Sequence, residues 1–118
     1  MKILIVEDEF LIASRIERLC NEILGSVLSQ ITCISDLADV KVYLKTNKVD
    51  LVILELNLNG EDGLQILQQF TAESFHIIIV SAQKEKAKDA FDYGVVGFVS
   101  KPFEKERLKL ALNRQVQR

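Results

Sequence analysis

The 118-residue chain contains one proline, two cysteines and one histidine, and no apolar run near the ~20 residues that a membrane-spanning helix needs. With Pro102 as its only proline and no repeat or low-complexity tract, it offers no linker at which to divide, and its length is that of one domain. The opening "MKILIV" carries one lysine and a short apolar stretch without a small-residue cleavage pattern. No membrane association is expected, and the chain reads as cytoplasmic. An excess of positive charge is also missing: 15 basic against 17 acidic residues give a net charge of -2, which argues against direct nucleic-acid binding by this segment. Cys20 falls in a helical pattern and Cys33 in a strand pattern, neither with metal-ligand spacing, so two buried free thiols are expected. His76 precedes "IIIV" with no His or Cys beside it and reads as a strand-edge residue rather than a ligand.

What is present is a regular alternation. "KILIV" (2–6) is too short for a helix and is followed by acids. "FLIASRIERLCNEIL" comes next, with Leu11, Ile12, Ile16, Leu19, Cys20, Ile23 and Leu24 at helical spacing, and Gly25 ends it. "VLSQITCI" resumes an extended pattern, and Ser35 or Asp36 caps a second helix to about Lys45. "LVIL", "HIIIV" and "VGFVS" supply three more strands, separated by helices over 63–72 and 84–93, with a last helix over 104–116. Five strands alternating with five helices predict an α/β fold with a doubly wound five-stranded parallel sheet, because parallel neighbours need crossovers and helices supply them. The unbroken apolar strands suit a sheet covered on both faces, a three-layer sandwich.

In such sheets the carboxyl ends of the strands meet in a crevice. Strand one delivers Glu7 and Asp8 there, strand three Glu55, strand four Ser81, and strand five Lys101 before Pro102. Three carboxylates at one edge repel unless a cation sits among them, and the candidates are a divalent ion and Lys101. Oxygen ligands, a loop carbonyl and room for waters suit Mg2+ rather than zinc. Ser81 and Lys101 add a hydroxyl and a point charge, parts that cradle a phosphoryl group. Each acid alone has a simpler explanation at the positive end of a helix, but four strand ends together do not. Asp62 and Gly63 are sufficiently explained as turn and helix-start residues, and Asp50 as a polar residue opening strand three.

The ordered motifs "ILIVEDE", "DLVILELNLNGEDG", "IIIVSA" and "GVVGFVSKPF" make the chain resemble a response-regulator receiver domain over residues 1–118. The resemblance implies a flavodoxin-like (βα)5 fold with strand order 2-1-3-4-5, and signalling rather than enzymatic turnover. It implies that Glu7 and Asp8 are the acidic pair, with Asp8 the direct metal ligand, and that the Asn57 carbonyl is a further Mg2+ contact. Ser81 and Phe98 take the places of the hydroxyl and aromatic that rearrange on activation. Lys101 takes that of the phosphate-contacting lysine, and Lys101-Pro102 that of a peptide bond often cis. The stretch "FDYGVVGFVSKPF" resembles receivers that precede LytTR-type DNA-binding domains.

The departure is Glu55, where receivers place the aspartate that takes a phosphoryl group from a histidine kinase. The extra methylene moves the nucleophile on the order of 1 Å, enough to cost about a hundredfold in rate. The same extension brings a carboxylate toward Ser81 and Lys101 as a partial phosphate mimic, and weakens or abolishes Mg2+ binding. The leading expectation is a phosphorylation-independent switch that acts through contacts with an effector domain or partner protein. Alternatives are a slowly phosphorylated Mg2+-dependent receiver and a pure docking or homodimerisation module, using the fourth and fifth helices around Lys84, Lys88, Asp89, Lys105 and Lys109. A flavodoxin-like cofactor protein is disfavoured by the acidic first loop "EDE".

Overall fold

A computed structural model describes residues 1–70 and 74–116. Its elements are β1 (Lys2–Val6), α1 (Phe10–Leu24), β2 (Gln30–Ile34), α2 (Leu37–Thr46), β3 (Leu51–Leu54), β4 (Asn57–Leu58), β5 (Glu61–Asp62), α3 (Gly63–Phe70), β6 (His76–Ser81), α4 (Ala87–Asp92), β7 (Gly97–Ser100) and α5 (Lys105–Val116). β2-β1-β3-β6-β7 form one five-stranded sheet, and every pairing in it is parallel. This is the expected doubly wound order, with β6 and β7 as the fourth and fifth strands of the sheet.

Although the strands read as continuous apolar runs, their side chains divide by alternation between two cores. Leu4, Val6, Val52, Leu54, Ile77 and Ile79 pack with Val40 of α2, Leu67 of α3 and Ala90 of α4. Ile3, Ile5, Ile53, Ile78, Val80 and Val99 pack with Ile16 and Leu19 of α1 and Leu108 and Leu112 of α5. Asp36 caps α2, accepting hydrogen bonds from the Ala38 and Asp39 N–H groups at 2.7 and 3.4 Å. His76 opens β6 in an exposed position, and Asp50 accepts from the Lys2 N–H at 2.7 Å just ahead of β3.

Several expectations are corrected. Leu11 is 80% exposed, because it precedes Ile16 by five residues and so lies about 140° around α1 from the buried stripe. Val27 belongs to a 3-10 turn over Gly25–Val27, and the second strand begins only at Gln30. The helix expected over 84–93 is a 3-10 turn at Lys84–Lys86 followed by α4, which Gly94 ends with φ +91°. Residues 71 and 72, expected in the third helix, lie outside the described residues. Between β3 and α3 the chain forms a two-stranded hairpin, turned by Asn59 and Gly60 in left-handed conformations.

Of the two thiols, Cys20 meets the expectation of burial and Cys33 does not. Cys20 is buried, and burial pushes its thiol up to about 12, whereas Cys33 is exposed because β2 is an edge strand with a neighbour on one side only. A thiol-reactive probe on the native protein is therefore expected to modify Cys33 and spare Cys20 until unfolding, as read by intact mass. Equal labelling of both would contradict the burial.

Candidate functional site

The parallel ladder carries charged residues to one edge. Val6 of β1 pairs with Leu54 of β3, so Glu7 and Glu55 leave the sheet side by side, and the Glu55 N–H still donates to the Val6 carbonyl at 3.0 Å. Ser81 ends β6 beside Ser100 of β7, and the Lys101 N–H donates to the Ser81 carbonyl at 2.9 Å. The Lys101-Pro102 peptide bond is cis.

At that edge Lys101 Nζ donates to Glu7 Oε1 at 2.6 Å and to Glu55 Oε1 at 2.8 Å. Glu7 is 4% and Glu55 7% exposed, so both ion pairs are largely removed from water, where their attraction is not screened as it is at the surface. Glu55 Oε2 turns back on its own loop and accepts from the Leu56 and Asn57 N–H groups at 2.6 and 3.3 Å. The second oxygen of Glu7 accepts from the Glu9 N–H at 3.2 Å.

Burial raises the Glu7 pKa above the usual carboxylate value, and the Lys101 contact and the Glu9 N–H offset this only in part. Burial by itself would lower the Lys101 pKa, but hydrogen bonds and charge attraction from Glu55 and Glu7 outweigh it, and the net direction is upward.

Asp8 adjoins Glu7, whose pKa its side chain helps to raise, but among the described residues it makes no ion pair with Lys101. Its Oδ2 accepts from the Asn59 N–H at 3.1 Å, while the Asn59 amide donates to the Ser35 carbonyl at 3.3 Å. The β4–β5 hairpin thus ties together the loops after β1 and β2. Asn59 was not singled out in the sequence reading, although Asn-Gly is a strong two-residue hairpin signal. Asn57 opens the hairpin, exposed, with its N–H on Glu55.

Ser81 is fully buried, and its Oγ accepts from the Gln83 N–H at 3.2 Å. Among the hydrogen bonds of the described residues, none joins Ser81 to Glu55; the Glu55 carboxylate meets Lys101 and its own backbone instead. Phe98 packs inward, 7% exposed, among Ala90, Val95 and their neighbours, and its carbonyl accepts from Arg107 Nη2 at 2.7 Å.

Asp62 and Gly63 have structural roles. Asp62 Oδ1 accepts from the Leu64 N–H at 2.9 Å at the start of α3 and lies 3.6 Å from Lys86 Nζ. At Gly63 an added Cβ would lie 2.4 Å from the Leu56 Cα, so the position has no room for a side chain.

This donor set does not fit Mg2+ as arranged. That ion demands a near-ideal octahedron of oxygens at about 2.0–2.1 Å. Both oxygens of Glu55 and both of Glu7 are already engaged, and the charge between them is an ammonium. Among the described residues, no group of three or more His, Cys, Asp or Glu is arranged to hold a metal ion.

Comparison with known proteins gives a consistent result. The family model of the response regulator receiver domain matches residues 3–113. The chain is 34% identical over 116 residues to the sensory transduction protein LytR of Staphylococcus epidermidis, covering 97% of this chain and 45% of that protein. It is 33% identical over 111 residues to the transcriptional regulatory protein YpdB of Escherichia coli K12, covering 92% of this chain and 44% of that protein. It therefore spans less than half the length of these relatives. Among solved structures, the response regulatory domain of protein MrkE from Klebsiella pneumoniae superposes with a TM-score of 0.89 at 31% identity, covering 99% of this chain and 96% of that one.

Proposed function

This chain belongs to the response regulator receiver domain family, and we propose that Glu55 stands at its phosphoacceptor position, which makes it an atypical receiver whose signalling state does not depend on phosphorylation. One observation carries the reading: the Glu55 carboxylate is held at both ends, with Lys101 on one oxygen and two backbone N–H groups on the other. A carboxylate so held is poorly placed to attack phosphorus, since in-line attack needs an oxygen at the right distance and angle and a misplacement of ~1 Å costs about a hundredfold.

The carboxylate also brings negative charge to the amine that would otherwise meet a phosphoryl group, and Phe98 is packed inward, which together favour one fixed conformation. The module then acts through contacts with an effector domain or partner protein, and regulation of transcription is the output suggested by its relatives. A histidine kinase would be at most a weak phosphoryl source. The contact surface, or a homodimer face, is proposed on α4 and α5, where Phe91 and Leu110 are 50% and 49% exposed.

The test is incubation with a small-molecule acyl phosphate and Mg2+, followed by intact-mass measurement. Wild type is expected to gain no phosphoryl mass, whereas Glu55→Asp gains it at least about a hundredfold faster. Phosphorylation of wild type at a rate similar to that of Glu55→Asp would overturn the reading in favour of a conventional Mg2+-dependent receiver.

A further inference from the structure

We infer that the protein has a second binding site, at the edge of the sheet opposite the charged cluster, and that it takes a small zwitterion of the α-amino-acid kind, with the carboxylate on Lys48 and the ammonium on Asp50 and Gln115. The inference does not depend on the reading of position 55. β3 begins at Leu51 beside this second site and runs out at Glu55, roughly 13 Å away.

Parallel strands that deliver Glu7, Glu55 and Ser81 to one edge begin together at the other. Lys2, Leu51 and His76 open β1, β3 and β6 there, and Asp50 joins two of these starts. Its N–H donates to the Lys2 carbonyl at 2.8 Å, and its carbonyl accepts from the His76 N–H at 3.1 Å. α5 follows β7 and runs back along the sheet, which brings Gln115 of its last turn to the same edge. Between these segments lies a cleft of about 390 Å3, whose walls include Met1, Lys48, Asp50, Ser74, His76 and Gln115. That volume falls in the range of small-molecule sites and is too large for a single bound water to fill.

Three polar groups in the cleft are unmatched. Val49 is buried while Lys48 and Asp50 on either side of it are exposed, so opposite charges stand on one rim. Among the described residues neither charge belongs to an ion pair. One Asp50 oxygen accepts from the Lys2 N–H at 2.7 Å, which leaves the other to a ligand. Gln115 Oε1 is shielded from solvent and has no hydrogen-bond partner among the described residues. An orphaned acceptor is costly, and the terminal torsion of a glutamine is soft, so a donor seated in the cleft can draw that oxygen to it. The Met1 amino group is already turned to the Val27 carbonyl at 2.7 Å.

An ammonium satisfies the Gln115 oxygen and the open Asp50 oxygen together, and a carboxylate on the same small molecule satisfies Lys48. A ligand with one charge leaves the opposite charge of the rim unmatched. Ser74 and His76 add a hydroxyl and an imidazole to the wall.

His76 is the only histidine of the chain, so its imidazole proton signals report on this cleft alone in an NMR titration at constant pH. With the protein amino acids added one at a time, at least one is expected to shift those signals to saturation and to raise Tm by mass action, whereas acetate and methylamine are expected to do neither. Lys48→Met and Gln115→Leu are each expected to weaken binding of that amino acid at least about tenfold. Lys48 is exposed and unpaired, so its variant keeps the fold and the comparison stands even where Gln115→Leu does not fold. No saturable shift with any amino acid overturns the inference. So does saturation by acetate or methylamine alone, or undiminished binding to Lys48→Met.

Discussion

Lys101→Met is expected to lower the stability of the fold by about 3–5 kcal/mol at neutral pH, because it removes one partner of a buried ion-pair cluster and leaves two buried carboxylates facing each other. An exposed lysine with the same contacts would matter at most ~1 kcal/mol, so the size of the loss is itself a measure of how dry the site is.

The pH dependence has a definite sign. The Lys101 pKa is raised above its ordinary value of 10.5, so its contribution to stability is complete below 10.5 and is lost only as pH climbs through the higher folded value. Glu7 is raised above 4.5, so the folded state binds its proton more readily than the unfolded chain does; the stability that this supplies is full below 4.5 and is lost as pH rises through the folded value. Removing the ammonium takes away what restrains that upward shift. The deficit of Lys101→Met should therefore shrink as pH falls toward 4.5, where Glu7 can take up a proton. Denaturant titrations of both proteins at neutral and mildly acid pH measure it. A deficit under about 1 kcal/mol, or one that grows on acidification, would contradict a buried cluster.

Gly63→Ala is expected to cost about 3 kcal/mol, at the upper end for overpacking, because the obstacle is backbone and cannot step aside. The added Cβ would lie 2.4 Å from the Leu56 Cα and 2.5 Å from the Leu56 carbonyl oxygen, which already accepts from the Gly63 N–H at 2.7 Å. Relief requires moving Leu56, whose own N–H holds Glu55 at 2.6 Å, so the substitution also disturbs the position-55 carboxylate.

Gly60→Ala is the control. Its φ is +82° and nothing lies within 4 Å of an added Cβ, so only the left-handed backbone cost of about 1–2 kcal/mol applies. Equal losses for the two variants, measured by chemical denaturation, would mean that the Leu56 contact does not decide the Gly63 position.

How far the site was legible depends on how each residue is held. Glu7, Glu55, Ser81 and Lys101 each stand at or just past the end of an apolar run, and a parallel sheet brings such ends to one edge whatever the details of packing. Their neighbourhood could be read from chain order alone. Asn59 could not be assigned its role that way. The Asn-Gly pair announces a turn, but that its N–H meets Asp8, 51 residues away, follows from where the hairpin lands. Cys33 was misjudged because an extended apolar segment reads alike in a central strand and in an edge strand, and only the strand order leaves β2 with one flank open. Leu11 was misjudged because an apolar residue in the first turn of a helix fits the periodicity loosely before the packing partner is known.

The sequence by itself determined the alternation of strands and helices, the two-sided burial of the sheet and the set of charged residues at the strand ends, since these follow from local pattern and the stereochemistry of parallel crossovers. Only the tertiary structure decided that Glu55 folds back on its own loop, that Lys101 bridges it to Glu7, and that Asp8 is held by a hairpin instead. Those choices turn on ångström-scale placement of groups 46 and 94 residues apart, set by how two cores pack against one sheet.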